Sequence, residues 1–334
     1  MSTTLKTIVI TGGTEGIGYE AARQCASLPG VEKLIITSRT AEKAKKRIAS
    51  LAEQTGKPSS LFDYAVLDLE SPDSISACIA SLPSGIDALI LNGSNPTASS
   101  KSLSDHGVTL VFQNTTLGNV ELLEGLLAAK KLSPVGARVV YSGTELTRPV
   151  RLFTGLQPSM DCERGKIAGY FATPPSACCP VPIRSLLGIY QTNKLIGGLW
   201  LSALAKERPD VYFVTVSPGG VGTTDIYNDM PQPLPCLMKN CLCVFACLRA
   251  VHTVEVGAAR YVQAISNPKF KDAFPSGAVV ASPSTCCPCW LGASGPLTDQ
   301  SKYNWRYGDD ALQKEAAAAV RQAAAVVGKK MDRY

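Results

Sequence analysis

Short apolar runs alternate with longer amphipathic stretches along most of this chain. Leu5 to Ile10 reads Leu-Lys-Thr-Ile-Val-Ile, a buried strand, and a glycine-rich turn leads from it into a helix over about Ile17 to Ser27. Further strands are predicted at Lys33 to Ser38, Leu61 to Leu67, Ile86 to Leu91, Ala137 to Tyr141, Val211 to Ser217 and Gly277 to Ala281. Helical patterns run from about Ser104 to Lys131, around Tyr190, from Thr253 to Ser266, and through an alanine-rich tail at 309–328. Strands that alternate with helices imply an α/β fold with a doubly wound parallel sheet, whose ligands sit at the carboxyl ends of the strands. No internal repeat or second domain is evident, so residues 1–334 read as one domain. The tail's alanines suit either close packing or an exposed, dispensable end.

Composition narrows the class. The 334 residues are 45% hydrophobic and 18% charged, which describes a soluble globular protein with an ample core. The net charge of +6 is spread along the chain and gives nucleic-acid binding little support. The cluster Lys43, Lys45, Lys46 and Arg47 reads as a solvated helix face, with a minor role in attracting an anion left open. No charged-then-apolar leader precedes the first strand, and no apolar run reaches the roughly 18 residues that span a bilayer. A cytoplasmic, reducing compartment is therefore expected, with the twelve cysteines as thiols.

The turn after the first strand, Thr11-Gly12-Gly13-Thr14-Glu15-Gly16-Ile17-Gly18, has the context that phosphate binding requires, between a strand and a helix. Gly12 and Gly18 are expected to let the backbone turn tightly and approach a pyrophosphate, and Gly16 to let the helix pack on the strand. The second strand closes on Ser38-Arg39-Thr40. An acidic residue there would accept hydrogen bonds from ribose hydroxyls. Arg39 instead suits a 2′-phosphate, although Glu15 in the loop argues mildly against it. Asp68-Leu69 ends the third strand, where it would reach an adenine edge, and Asn92-Gly93 ends the fourth.

Tyr190 and Lys194 lie four apart in a helical segment, so they share a face and set an ammonium beside a phenol. With the glycine turn, Asp68, Asn92-Gly93, Tyr190/Lys194, and Pro218-Gly219-Gly220-Val221-Gly222-Thr223 after the sixth strand, the chain resembles the compact branch of the short-chain dehydrogenase/reductase family over roughly residues 5–282. Asp105-His106-Gly107 and Tyr190 to Leu195 are more similar to the retinol-dehydrogenase and protochlorophyllide-reductase subgroup. The resemblance implies a Rossmann-like sheet, with NADPH or NADP+ as the cofactor ahead of NADH. It further implies that Tyr190 moves a proton to or from a substrate oxygen, and that Lys194 holds the ribose hydroxyls and favours the phenolate. Pro218, Gly219, Val221 and Thr223 would grip the nicotinamide end.

The match frays in two places. The family's substrate-steadying serine falls on Thr144 by count and on Ser142 by residue type, with the count slightly favoured. Its helix asparagine falls on Thr115, one position from Asn114. That asparagine acts mostly through its carbonyl, which binds a water leading to the lysine, so the threonine carbonyl is expected to serve. A long insertion at 147–187 carries Pro149, Pro158, Pro174, Pro175, Pro180 and Pro182. It reads either as surface elaboration or as a pocket wall with Phe153, Tyr170 and Phe171. Residues 225–251 occupy the place of a substrate lid, with Cys236, Cys241, Cys243 and Cys247 among apolar residues. A lid over a lipophilic substrate leads, ahead of a homodimer contact and of a peripheral membrane patch at 234–251. Cys286, Cys287 and Cys289 lack a second suitably spaced pair, so no metal is expected.

The sequence points to an NADP(H)-dependent oxidoreductase that interconverts a carbonyl and an alcohol on a small apolar or amphipathic molecule. The competing reading is an NADPH-binding sensor or interaction protein that has lost turnover. A sugar-nucleotide epimerase ranks third, because its glycine turn has a different spacing.

Overall fold

The computed structural model describes residues 5–94, 103–104, 107–134, 136–148, 165, 167, 182–221, 251–283 and 294–331. Eight strands form one sheet in the order β3-β2-β1-β4-β5-β6-β7-β8. They are β1 (Thr7–Ile10), β2 (Lys33–Ser38), β3 (Phe62–Val66), β4 (Ala88–Leu91), β5 (Arg138–Ser142), β6 (Tyr212–Val216), β7 (Val279–Ala281) and β8 (Thr298–Asp299). The first seven pair in parallel, and β8 runs antiparallel to β7. Chain order reverses between β1 and β4, which opens a crevice at their carboxyl ends. The central strands are wholly buried and mostly apolar, as a sheet covered on both faces requires. The two-residue β8 was not foreseen, since so short a strand carries no periodic pattern.

One face of the sheet carries Ile8, Ile10, Leu34, Val140 and Val214 against α1 (Gly16–Cys25) and α6 (Val254–Ser266). Helices α2 (Ala41–Thr55), α3 (Pro72–Ser81) and α7 (Pro268–Ala273) complete the flanks. The other face carries Val9, Leu89, Val139, Tyr141 and Phe213 beneath α4 (Gly118–Ala128) and α5 (Pro182–Glu207). The helix predicted from Ser104 starts late. Gly107 takes a left-handed φ of 82°, Leu103 and Thr109 form an isolated antiparallel bridge, and helical structure begins at Leu110. A π-helical turn, Gln113–Leu117, then leads into α4.

Helix α5 is buried nearly all round from Gln191 to Ala205. The sheet lies under it, and the tail helix α8 (Asp310–Met331) lies over it. Leu312, Ala316, Ala317 and Val320 of α8 are core residues. Arg321 fastens the helix to Glu124 on α4 (2.8 Å) and Glu207 on α5 (2.7 Å), and the Trp200 indole donates to the same Glu124. Of the two fates open to the alanine-rich tail, close packing is the one observed. No described helix is long and apolar enough to cross a membrane.

Replacing Leu312 with Ala should therefore destabilise the fold by about 3 kcal/mol, since a fully buried leucine leaves a cavity. A dispensable tail would shift a thermal melt by less than about 0.5 kcal/mol.

Candidate active site

The glycine turn after β1 is shaped by two different demands. Gly12 and Gly16 adopt left-handed φ values of 63° and 54°, which glycine reaches without strain. At Gly13 a Cβ would press into Ile36 on β2, and at Gly18 it would collide with the Gly12 carbonyl and the Asn92 amide. The expected roles are thus exchanged: Gly16 makes the turn, and Gly18 permits the close approach. Asn92 donates to the carbonyls of Thr11 (3.2 Å) and Gly12 (3.4 Å), while Gly93 N donates to Thr11 Oγ1 (2.8 Å). These bonds splint the turn to the end of β4. Thr14 is buried within it, and Ile17 packs on the adjoining core. Helix α1 then starts at Gly16 with no side-chain cap and no acidic residue in its first turn, leaving N–H donors for an anion.

Ser38 ends β2 in a buried position, whereas Arg39 is exposed and makes no ion pair among the described residues. Lys43 and Arg47 of α2 reach back to Glu15 in the glycine turn, at 2.7 and 3.9 Å. The carboxylate that argued against a phosphate is therefore balanced by two cations. The basic cluster is in part a partner of the turn and not merely a solvated face. All three side chains are well exposed, so the pairs add little stability. Asp68 stands half-buried at the end of β3, its carboxylate accepting Glu70 N (3.0 Å). Leu69 is buried, and its carbonyl accepts Gln113 Nε2 (3.3 Å).

Tyr190 and Lys194 share one face of α5. Lys194 is 1% exposed, and its Nζ lies 4.8 Å from the ring centre of Tyr141 and 5.8 Å from that of Tyr190. It donates to the carbonyl of Ser142 (2.8 Å). Burial pushes the ammonium down to about 7, while the carbonyl and the two ring faces favour its charged form. The Ser142 hydroxyl pairs with Tyr261 of α6 (2.6 Å), on the sheet face opposite α5. Thr144 is half-buried and extended just beyond the strand, where its Oγ1 accepts Leu146 N (3.3 Å). The choice left open in the sequence is thereby narrowed: Ser142 serves Lys194 through its carbonyl, and its hydroxyl belongs to the core.

Thr115 departs from expectation. Its carbonyl accepts the Tyr141 hydroxyl (3.0 Å) and Asn119 Nδ2 (3.2 Å), so both lone pairs are engaged within the protein. A water relay through that carbonyl is not what this packing offers. The π-helical turn explains the change, because it shifts the backbone just before Gly118, where α4 presses on the Leu69 carbonyl. Thr115 Oγ1 is buried without a hydrogen-bond partner among the described residues. Asn114 points away to Glu70 (2.9 Å). Sequence reasoning missed Tyr141 and Asn119; an asparagine in a helix interior, where propensity is poor, was the one available signal.

Pro218 and Gly219 leave β6, with Gly219 at φ 87° and its N donating to Ser217 Oγ (3.1 Å). Val221 is buried and bridges to His252. Thr223, the lid with its cysteines, Cys286, Cys287, Cys289 and the insertion's Phe153, Tyr170 and Phe171 lie outside the described residues. The described candidates all sit at or beyond the carboxyl ends of β1 to β6, around the crevice.

Residues 6–142 match the family described as short chain dehydrogenase. The short-chain dehydrogenase anuD of Penicillium roqueforti is 33% identical over 129 residues, 38% of this chain and 33% of that one. Short chain dehydrogenase FGM9 of Gibberella zeae is 29% identical over 238 residues, 68% of this chain and 64% of that one. The chain thus spans from a third to just under two thirds of the length of these relatives. Among solved structures, L-sorbose reductase from Gluconobacter frateurii, complexed with NADPH and L-sorbose, has the same fold. Its TM-score is 0.55 at 17% identity, over 84% of this chain and 96% of that one. With its glycine turn, its sheet order and its matches to relatives, residues 6–142 of the chain belong to the short-chain dehydrogenase/reductase family.

Proposed function

We propose that this protein is an NADP(H)-dependent oxidoreductase that interconverts a carbonyl and an alcohol on a small apolar or amphipathic substrate. The observation that carries the reading is the Tyr190/Lys194 pair, with its buried ammonium held against the Ser142 carbonyl at the crevice. The residues fit a phosphorylated dinucleotide. The left-handed turn at Gly12 and Gly16 and the uncapped start of α1 suit the pyrophosphate. The exposed Arg39, with Lys43 nearby on the following helix, suits a 2′-phosphate, and the L-sorbose reductase of the same fold was solved with NADPH. Asp68 would stand at the adenine, Lys194 at the ribose, and Pro218, Gly219, Val221 and Thr223 at the nicotinamide. When bound, the cofactor supplies or takes the hydride.

Tyr190 then gives a proton to the substrate oxygen or receives one, and Thr144 steadies that oxygen. An ordinary phenol near 10 is a weak catalyst at neutral pH, and a cation beside it favours the phenolate. The reading extends to a cytosolic setting, supported by free, buried thiols at Cys25 and Cys78. A finer placement beside retinol dehydrogenases rests on Tyr190 to Leu195, since Asp105 and His106 lie outside the described residues. One observation favours a second reading, an NADPH-binding protein without turnover: the engaged carbonyl of Thr115. Hydride transfer from bound NADPH to any of a panel of apolar aldehydes and ketones separates the two.

Tyr190→Phe should lower that turnover by about 10³-fold while NADPH binding, followed by fluorescence, changes little. Full activity in this variant would sink the mechanism. Arg39→Ala should weaken NADPH about tenfold and leave NADH unchanged, as loss of a charge-assisted bond to the 2′-phosphate requires. Lys194 binds its proton less tightly folded than unfolded, so stability should rise with pH from about 7 toward the unfolded value near 10.4. The slope is at most about 1.4 kcal/mol per pH unit. Glu121, pushed up to about 7 by burial, makes stability fall with pH below that window. The difference in melting temperature between the wild type and Lys194→Met isolates the lysine, and a flat difference above pH 7 would contradict its buried state.

A further inference from the structure

A buried charge cluster that takes no part in the chemistry above lies at the exits of β5, β6 and β7. Glu145, next to Thr144, is 6% exposed, and Arg260 of α6 is 5% exposed; their side chains meet at 3.2 Å. The other carboxylate oxygen of Glu145 accepts the Ser217 hydroxyl. That hydroxyl in turn accepts Gly219 N (3.1 Å). A carboxylate only accepts, so it dictates the direction of the Ser217 proton and leaves a lone pair facing the Gly219 amide. Arg260 grips the same turn from the other side, donating to the Ser217 carbonyl (3.1 Å), to Ser282 Oγ (2.8 Å) and to the Gly295 carbonyl (3.0 Å). Ser282 N, at the exit of β7, completes the ring on Glu145 Oε1 (3.4 Å).

Buried ion pairs contribute little net stability compared with apolar residues of equal volume, because desolvation offsets the attraction. What this one supplies is direction. Ser217 and Ser282 stand one residue beyond β6 and β7, Glu145 stands three beyond β5, and Arg260 reaches all three from α6. Gly219 takes a left-handed φ of 87°, and the hydroxyl-to-amide bond holds the peptide plane there.

We propose that Glu145 and Arg260 are positioning residues that lock the Pro218-Gly219 turn in register with Thr144. The inference rests on the proposed cofactor reading: it assigns these two residues the task of setting the nicotinamide against the hydroxyl that faces the substrate oxygen. They touch neither group themselves.

The test compares NADPH with adenosine 2′,5′-bisphosphate, which has the adenine and 2′-phosphate but no nicotinamide. Wild type, Glu145→Gln, Ser217→Ala and Ser217→Thr are titrated with each ligand after a melt has verified cooperative folding. Ser217→Ala leaves the ion pair intact and covers the case in which Glu145→Gln does not fold. The proposal expects bisphosphate binding within about twofold of wild type in every folded variant. NADPH should weaken about tenfold in Glu145→Gln and Ser217→Ala, as loss of one ordered hydrogen bond would give, and recover in Ser217→Thr. An unchanged ratio of the two affinities in Ser217→Ala overturns the proposal, as does a loss that Ser217→Thr does not rescue. Wild-type protein that binds neither ligand overturns the cofactor reading itself, and the positioning role with it.

Discussion

A lysine ammonium taken wholly out of water is costly unless the protein replaces its hydration, and much of this structure is arranged to do so at Lys194. The Ser142 carbonyl accepts one of its protons, and the faces of Tyr141 and Tyr190 lie over it. Tyr141 can stand there because its own hydroxyl reaches the Thr115 carbonyl. That carbonyl is presented by a π-helical turn, which in turn depends on Gly118 pressing against the end of β3. The strand exit, the helix distortion and the core tyrosine form one connected set. Burial pushes the ammonium's pKa down to about 7, and the carbonyl and ring faces work against that push.

The helix that carries that lysine is itself covered. Helix α5 carries Tyr190 and Lys194, and α8 closes over its outer side with Leu312, Ala316 and Val320. Arg321 with Glu124 and Glu207, and Lys206 with Asp310 and Gln313, tie the three outer helices together through exposed or half-exposed contacts. The same tail reaches the insertion: Glu315 accepts the N–H groups of Gly165 (2.9 Å) and Ile167 (3.4 Å). Asn304 donates to the Thr147 carbonyl (2.6 Å) at the insertion's root. The segment after β7 is therefore tied to the insertion and to its root after β5.

The glycine-turn end is built on a different principle. Its turn is held by short-range splints from Asn92, Thr11 and Thr37, and its charges are exposed and mutually balanced. Arg39 is the exception, a cation without an ion-pair partner among the described residues at the edge where a 2′-phosphate would lie. Rigid polar bonding at one end and loosely held charge at the other suit a site that must orient one group and attract another.

The sequence by itself determined the alternation of strands and helices, the glycine turn, the Tyr190/Lys194 face and the family. These follow from local periodicities of two and 3.6 residues and from glycines at strand ends, and they survive in any packing. Tertiary structure alone decided that Ser142 offers its carbonyl and not its hydroxyl, because the facing of a residue at a strand end depends on which helix packs there. It alone exchanged the roles of Gly16 and Gly18, engaged the Thr115 carbonyl, and turned an alanine-rich tail into a cover. Glu145 and Arg260 stand 115 residues apart, and no local pattern links them. Such pairings arise only when the sheet brings three strand exits together, where a buried charge must find its partner among whatever the fold has placed beside it.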